Sequence, residues 1–179
     1  RLDAVFVAIG GGGLVSGGRI YHGAPPGEVE IGHVRLDRRG TILESRCSGW
    51  AMDRRIRAMG RRHPRSVLAR LTRGMRGGEA VHLAAALRRR DPLARAVLAA
   101  WADDCAFALS HVVQLFHPQI IVLGGGLALT GAPLCRALAA ALPQYVMDAL
   151  LPAPPVVAAA LKEDAVPVGA LLLAAHTKP

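Results

Sequence analysis

The sequence predicts an α/β fold, because β-branched runs stopped by glycine alternate with helical patterns. Two runs carry the strand half of that reading, Ala4 to Ile9 and Gln119 to Leu123, and each runs straight into a glycine cluster. The helical half rests on Leu93 to Phe116, where Ala94, Val97, Leu98, Trp101, Cys105, Ala108, Leu109, Val112 and Leu115 form one apolar stripe.

Ala4 to Ile9 reads as a buried strand stopped by Gly10 to Gly13. Leu14-Val15 resumes, Ser16-Gly17-Gly18 turns and Arg19-Ile20-Tyr21 returns, a hairpin whose glycines can hold positive φ. Pro25-Pro26 forces an extended loop toward Glu28, Ile31 to Leu36 reads as a short strand, and Asp37 to Gly40 as a polar turn. Ser48 is an N-cap for a helix through Ala51-Met52, Ile56 and Met59 that Gly60 ends. His63-Pro64 marks a linker, Ser66 to Leu71 a short helical piece, and Gly74 to Gly78 a break. Glu79 to Arg90 reads as one amphipathic helix closed by Asp91-Pro92, and the long helix then runs to Pro118. After the strand at Gln119 come Gly124-Gly125-Gly126, a helix over Pro133 to Leu142 and a proline-rich break at Pro152 to Pro155. Val156 to Leu161 favours a strand, and Val168 to Ala175 reads as a closing buried helix.

A chain of 179 residues suffices for one domain with a sizeable core, or one lobe of a larger protein. Hydrophobic residues at 52% exclude a disordered tail, and aromatics at 4% leave the core to Ala, Leu and Val, with Trp50 and Trp101 as anchors. The net charge of +9 is almost all arginine, spread along the chain without interleaved aromatics, which describes a solvated basic face rather than a nucleic-acid surface. Cys47, Cys105 and Cys135 are far apart and form no CxxC, so a reducing cytoplasm is expected. Charged residues, glycine or proline interrupt every apolar stretch before the length of a membrane span, and no signal peptide is expected. The opening Arg1-Leu2-Asp3 leads directly into a strand, as if the chain began inside a fold.

The chemistry concentrates between Gly27 and Trp50, GEVEIGHVRLDRRGTILESRCSGW, where Glu30, His33 and Glu44 lie among glycines and short apolar runs. Carboxylates accept at two oxygens and a neutral imidazole offers one donor and one acceptor, a set that suits vicinal hydroxyls better than phosphate. A surface loop with solvated acids is the competing reading. Gly32, between Ile31 and His33, allows a close approach to the backbone. Gly124 to Gly126 after IIVL suit either a flat ring or phosphate at the carboxyl end of a strand, or a tight turn before the next helix. Gly10 to Gly13 carry the same ambiguity. The remaining histidines have no partner at metal-ligand spacing, His111 and His117 look structural, and Asp103-Asp104 look exposed. Asp37, Asp53 and Asp164 sit in no motif that makes one a catalytic base.

Taken together, GGGLVSGGRIYHGA, GEVEIGH, LESRCSGWA, HPQIIVLGGGL and LKEDAVPVGALLLA, in that order, resemble the ROK family of bacterial sugar kinases and sugar-responsive repressors. The resemblance implies an actin-like, ribonuclease-H-like fold, with residues 1–179 as a single C-terminal lobe and the N-terminal lobe absent. It implies that Glu30, His33 and Glu44 contact sugar hydroxyls, that Gly124, Gly125 and Gly126 line an adenosine pocket, and that Gly11, Gly12 and Gly13 handle nucleotide phosphates. Family members usually carry a GTGIG-type phosphate loop, whereas this chain reads VAIGGGG, with Ala8 near the place of a Thr. Many bind structural zinc through the ExGH histidine and a CxCGxxGC loop. Here that loop is DRRGTILES with Ile42 at the last cysteine, so no zinc is expected.

The function implied is ATP-dependent phosphorylation of a hexose, with ATP and Mg²⁺ as cofactors and this chain giving the sugar- and adenosine-binding lobe. The DxGGT phosphate motif and the catalytic aspartate would belong to the other lobe, so the isolated chain is expected to be inactive. The alternatives are a sugar-responsive repressor of the same family, which binds DNA only through an upstream domain, and a truncated non-catalytic lobe. The apolar face of the long helix suggests a homodimer, and no membrane partner is expected.

Overall fold

The computed structural model describes residues 3–8, 11–24, 29–161, 164, 167–169 and 171. Among them a single sheet orders its strands β3-β2-β1-β4-β5: β1 (Ala4–Ala8), β2 (Gly11–Ser16), β3 (Arg19–Ile20), β4 (Ile120–Gly124) and β5 (Val156–Ala158). β1 is antiparallel to β2, with Ala8 opposite Gly11, and parallel to β4, with Ala8 opposite Gly124. That register sets both glycine clusters beside one residue, at the carboxyl ends of β1 and β4. β5 adds in parallel to β4, and Ile121 and Leu123 point into the core.

The helices are α1 (Leu43–Cys47), α2 (Gly49–Arg62), α3 (Val67–Leu71), α4 (Leu83–Arg88), α5 (Pro92–Phe116) and α6 (Ala132–Ala141). Ser48 and Ser66 cap α2 and α3, their hydroxyls accepting from the Ala51 and Ala69 N–H groups at 3.3 and 3.0 Å. Pro92 opens α5, where its missing N–H costs nothing, and His117 closes it at φ 43°. The stripe from Leu93 to Val113 is buried against α1, α2 and α6. Trp101 is fully buried, and its indole N–H donates to the Cys47 carbonyl at 3.0 Å, so burial leaves no orphan donor.

Several expectations need correction. Gly11 to Gly13 lie inside β2 and not in a turn, whereas the reversal into β3 uses Gly17 and Gly18 at φ 58° and 79°, at the Ser16-Gly17-Gly18 turn that the sequence predicts. Ile31 to Leu36 is not a strand but a 3-10 turn at Ile31–His33 followed by an isolated bridge from Arg35 to Ile42. Gly60 does not end α2, which continues to Arg62; it faces α3, where a Cβ on Gly60 would make ordinary contact with that of Ala69 at 3.5 Å. The helix expected over Glu79 to Arg90 is split into a 3-10 turn, Glu79–His82, and α4.

Trp50 is no core anchor. It is 50% exposed and lies under the Arg54 guanidinium, 4.7 Å from the ring centre. Asp103 is exposed as expected, but Asp104 is half-buried and pairs with Arg55. α5 is, by length and composition, apolar enough to cross a membrane, contrary to the sequence expectation, with a best 18-residue window of mean hydropathy 1.4. Of that window 61% is buried inside the chain, as in a core helix. The same burial removes the ground for a dimer through this face, because α1, α2 and α6 already fill it. The loop at Pro25-Pro26 and most of Val168 to Ala175 lie outside the described residues. Leu171, within them, is 72% exposed rather than buried.

Candidate functional site

Two legs of a hairpin carry the polar residues read from the sequence. The first runs through Glu30 and the 3-10 turn, where the His33 N–H donates to the Glu30 carbonyl at 3.1 Å. The second returns through Thr41 and Ile42 into α1, with Leu36 N–H donating to Thr41 O at 2.8 Å and Leu43 N–H to Val34 O at 2.9 Å. Asp37 holds the reversal: its Oδ1 accepts from the N–H groups of Arg39 and Thr41 at 2.8 and 3.1 Å. The Thr41 hydroxyl, then its backbone N–H, keeps the Asp37 carboxyl below its ordinary 3.8. Ile42 is paired with Arg35 at this reversal, where the resemblance places the last zinc cysteine of other members.

This closure brings Glu44, in the first turn of α1, back against Gly32. A Cβ on Gly32 would lie 3.5 Å from the Glu44 Cβ, so the two backbones approach at ordinary contact distance. Glu30 and His33 flank Gly32 and are exposed, while Glu44 is half-buried. Buried Ile31 anchors the turn against the sheet: a Cβ on Gly12 would meet Ile31 Cδ1 and the Val29 carbonyl oxygen, both at 3.0 Å. Gly12 is therefore glycine for a packing reason, close approach to the polar loop. Neighbouring strand residues face opposite ways, so Gly11 and Gly13 turn to the other side of β2.

The second glycine cluster borders a cavity of about 260 Å³. One wall is Gly124, Gly125 and Gly126 with Leu127 and Leu129, and the facing wall is Gly78, Ala80 and Val81. Gly49 and Asp53, from the start of α2, close it. Gly125 has φ 74°, which side chains disfavour, and nothing lies within 4 Å of a Cβ built on Gly125 or Gly126. This is an open cradle with apolar flanks, a fit for a flat ring or sugar whose edges reach backbone groups. Its size lies just below the usual range of ligand pockets, which begins at about 300 Å³.

No sequence motif marks Asp53. Its Oδ2 accepts from Gly78 N–H at 2.8 Å and its Oδ1 from Ala80 N–H at 2.7 Å, which pins the facing wall to α2. One turn further along α2, Arg57 pairs at 2.5 Å with Glu79, whose side chain is 0% exposed. Only the i, i+4 spacing of Asp53 and Arg57 hints that both serve one face, and helices carry many such pairs. Elsewhere, His111 Nδ1 lies 2.9 Å from the Phe107 carbonyl and its ring stacks edge-on with Phe107, a structural role. Among the described residues no three His, Cys, Asp or Glu side chains group as metal ligands.

Against known proteins, the chain is 29% identical over 168 residues to the glucokinase of Thermotoga maritima, covering 89% of this chain and 53% of that protein. It is 33% identical over 138 residues to the kanosamine kinase of Amycolatopsis mediterranei, covering 70% of this chain and 41% of that one. The chain thus spans about half the length of these relatives. Among solved structures, a ROK family glucokinase from Streptomyces griseus, in complex with glucose and AMPPNP, superposes with a TM-score of 0.87 at 26% identity. That match covers 96% of this chain and 60% of the other. The fold is the actin-like ATPase fold of these kinases. The sequence profile of the ROK family matches residues 3–177, and the chain belongs to that family.

Proposed function

We propose that this chain is the sugar- and adenosine-binding lobe of an ATP-dependent hexose kinase. The observation that carries the reading is the hairpin that seats Glu44 against Gly32, between Glu30 and His33. Two carboxylates and an imidazole on such neighbouring backbone segments offer acceptors to several hydroxyls of one sugar ring, and the imidazole adds one donor. Their part in the reaction is to orient the attacking hydroxyl, since positioning is a large share of phosphoryl-transfer catalysis.

ATP with Mg²⁺ would supply the transferable γ-phosphoryl group and the charge neutralisation it needs. The cradle at Gly124 to Gly126 fits the nucleoside, because its glycines leave the cavity open where any Cβ would intrude. The Gly11 backbone, level with Gly124 across Ala8 of β1, and that of Gly13 are the part of the first cluster available to phosphate, Gly12 being committed to Ile31. The hydroxyl oxygen bonds to the γ-phosphorus, the bridging bond to the ADP oxygen breaks, and the hydroxyl proton passes to a base. We assign that base to a separate lobe. The test is calorimetric titration of the 179-residue chain with hexoses and with ADP, followed by a turnover assay. Binding of both without sugar phosphate formation supports the reading; binding of neither, or turnover by the chain alone, contradicts it.

A further inference from the structure

We infer that Asp53 is the ribose-reading residue of the cavity beside Gly124 to Gly126, an inference that rests on the nucleotide reading above. Among the described residues lining this cavity, only Asp53 has a polar side chain; the others are glycine, alanine, valine and leucine. An anion in that place repels phosphate, so the part of a nucleotide lodged here is the nucleoside, with phosphates directed away toward the glycines beside Ala8.

Each carboxylate oxygen of Asp53 already accepts one backbone N–H, from Ala80 and from Gly78. An ionised carboxylate has about four acceptor sites, so one remains on each oxygen. Two acceptors on adjacent oxygens match two donors on adjacent carbons, which is the geometry of a ribose 2′,3′-diol. The same pair of backbone bonds fixes the carboxylate's orientation before any ligand arrives, so little rotamer freedom is lost on binding. The apolar partners for the base are Leu127, Leu129 and Val81. Asp53 therefore does two things that can be separated: it braces the wall at Gly78 to Ala80, and it accepts from the diol.

The experiment is calorimetric titration of the 179-residue chain with ADP, 2′-deoxy-ADP and 2′,3′-dideoxy-ADP, repeated on Asp53→Asn. The expected result is that the native chain binds ADP about tenfold or more tightly than the dideoxy compound, as for loss of hydrogen bonds to a charged group. In D53N that ratio shrinks toward one. If the native chain binds all three equally, the inference is overturned, whatever the variant does. If D53N weakens all three by one common factor, Asp53 only braces the wall and the diol contact is overturned. Absence of binding by any of the three would instead remove the nucleotide reading itself.

Discussion

Gly12 and Ile31 are in contact so close that no side chain fits between them: a Cβ on Gly12 would stand 3.0 Å from Ile31 Cδ1 and equally near the Val29 carbonyl oxygen. The glycine cluster on β2 and the loop bearing Glu30 and His33 are thereby one packed unit.

Gly12→Ala forces the backbone at Val29 to give way, and overpacking of this kind costs about 1–3 kcal/mol. A fall in the urea midpoint of that size, with hexose affinity reduced alongside, is the expected outcome. Gly126→Ala is the contrasting case, since its Cβ meets nothing within 4 Å. Its stability should stay within about 0.5 kcal/mol of native, while ADP affinity falls.

Legibility in the sequence followed how local each cause was. β4 and the glycines after it were readable because strand and breaker are adjacent in the chain. α5 was readable to within one residue, since its stripe spans seven turns and Pro92 and Pro118 bracket it. The loop over Ile31 to Leu36 was misread because its short apolar run looks like a strand, while Gly12, nineteen positions earlier, decides its path. The helix expected from Glu79 was misread for a similar reason. Asp53 takes the N–H groups of Gly78 and Ala80, and Arg57 draws Glu79 inside, so tertiary bonds override helical periodicity. Glu30, His33 and Glu44 stand out by residue type and family pattern, and Asp53, which no pattern marks, does not.

The Arg57–Glu79 pair gives an asymmetric prediction. Arg57→Ala leaves a fully buried carboxylate without its cation and should cost about 3 kcal/mol, the low end for breaking a buried pair because Arg57 is itself 34% exposed. Replacing both by a Leu and a Met should restore much of the loss. Urea denaturation of the single and double variants measures it.

Trp101→Ala should cost about 3–5 kcal/mol by cavity formation and by leaving the Cys47 carbonyl without its indole donor. Trp101→Phe should cost less. Thermal unfolding followed by circular dichroism separates the two.

Stability should fall at both ends of the pH range, for different groups. Asp37 has a lowered folded pKa, so its contribution is present above the ordinary 3.8 and is lost as pH falls through the folded value. Cys105 is pushed well above its ordinary 9.0 by its hydrogen bond with Cys47 and by burial, so its contribution is whole below 9.0 and is lost as pH rises beyond it. Urea midpoints across pH should show both declines, the acid one reduced in Asp37→Asn and the alkaline one reduced in Cys105→Ala.

The most direct measurement is calorimetric titration of a hexose panel against the native chain and against Glu30→Gln and Glu44→Gln. At least one hexose should bind the native chain, and each variant should weaken it by about 1.5–3 kcal/mol, the worth of a hydrogen bond to a charged group. A hexose that binds all three proteins with the same affinity would mean that these carboxylates do not touch the sugar, and no binding at all would leave the hairpin without the role assigned to it.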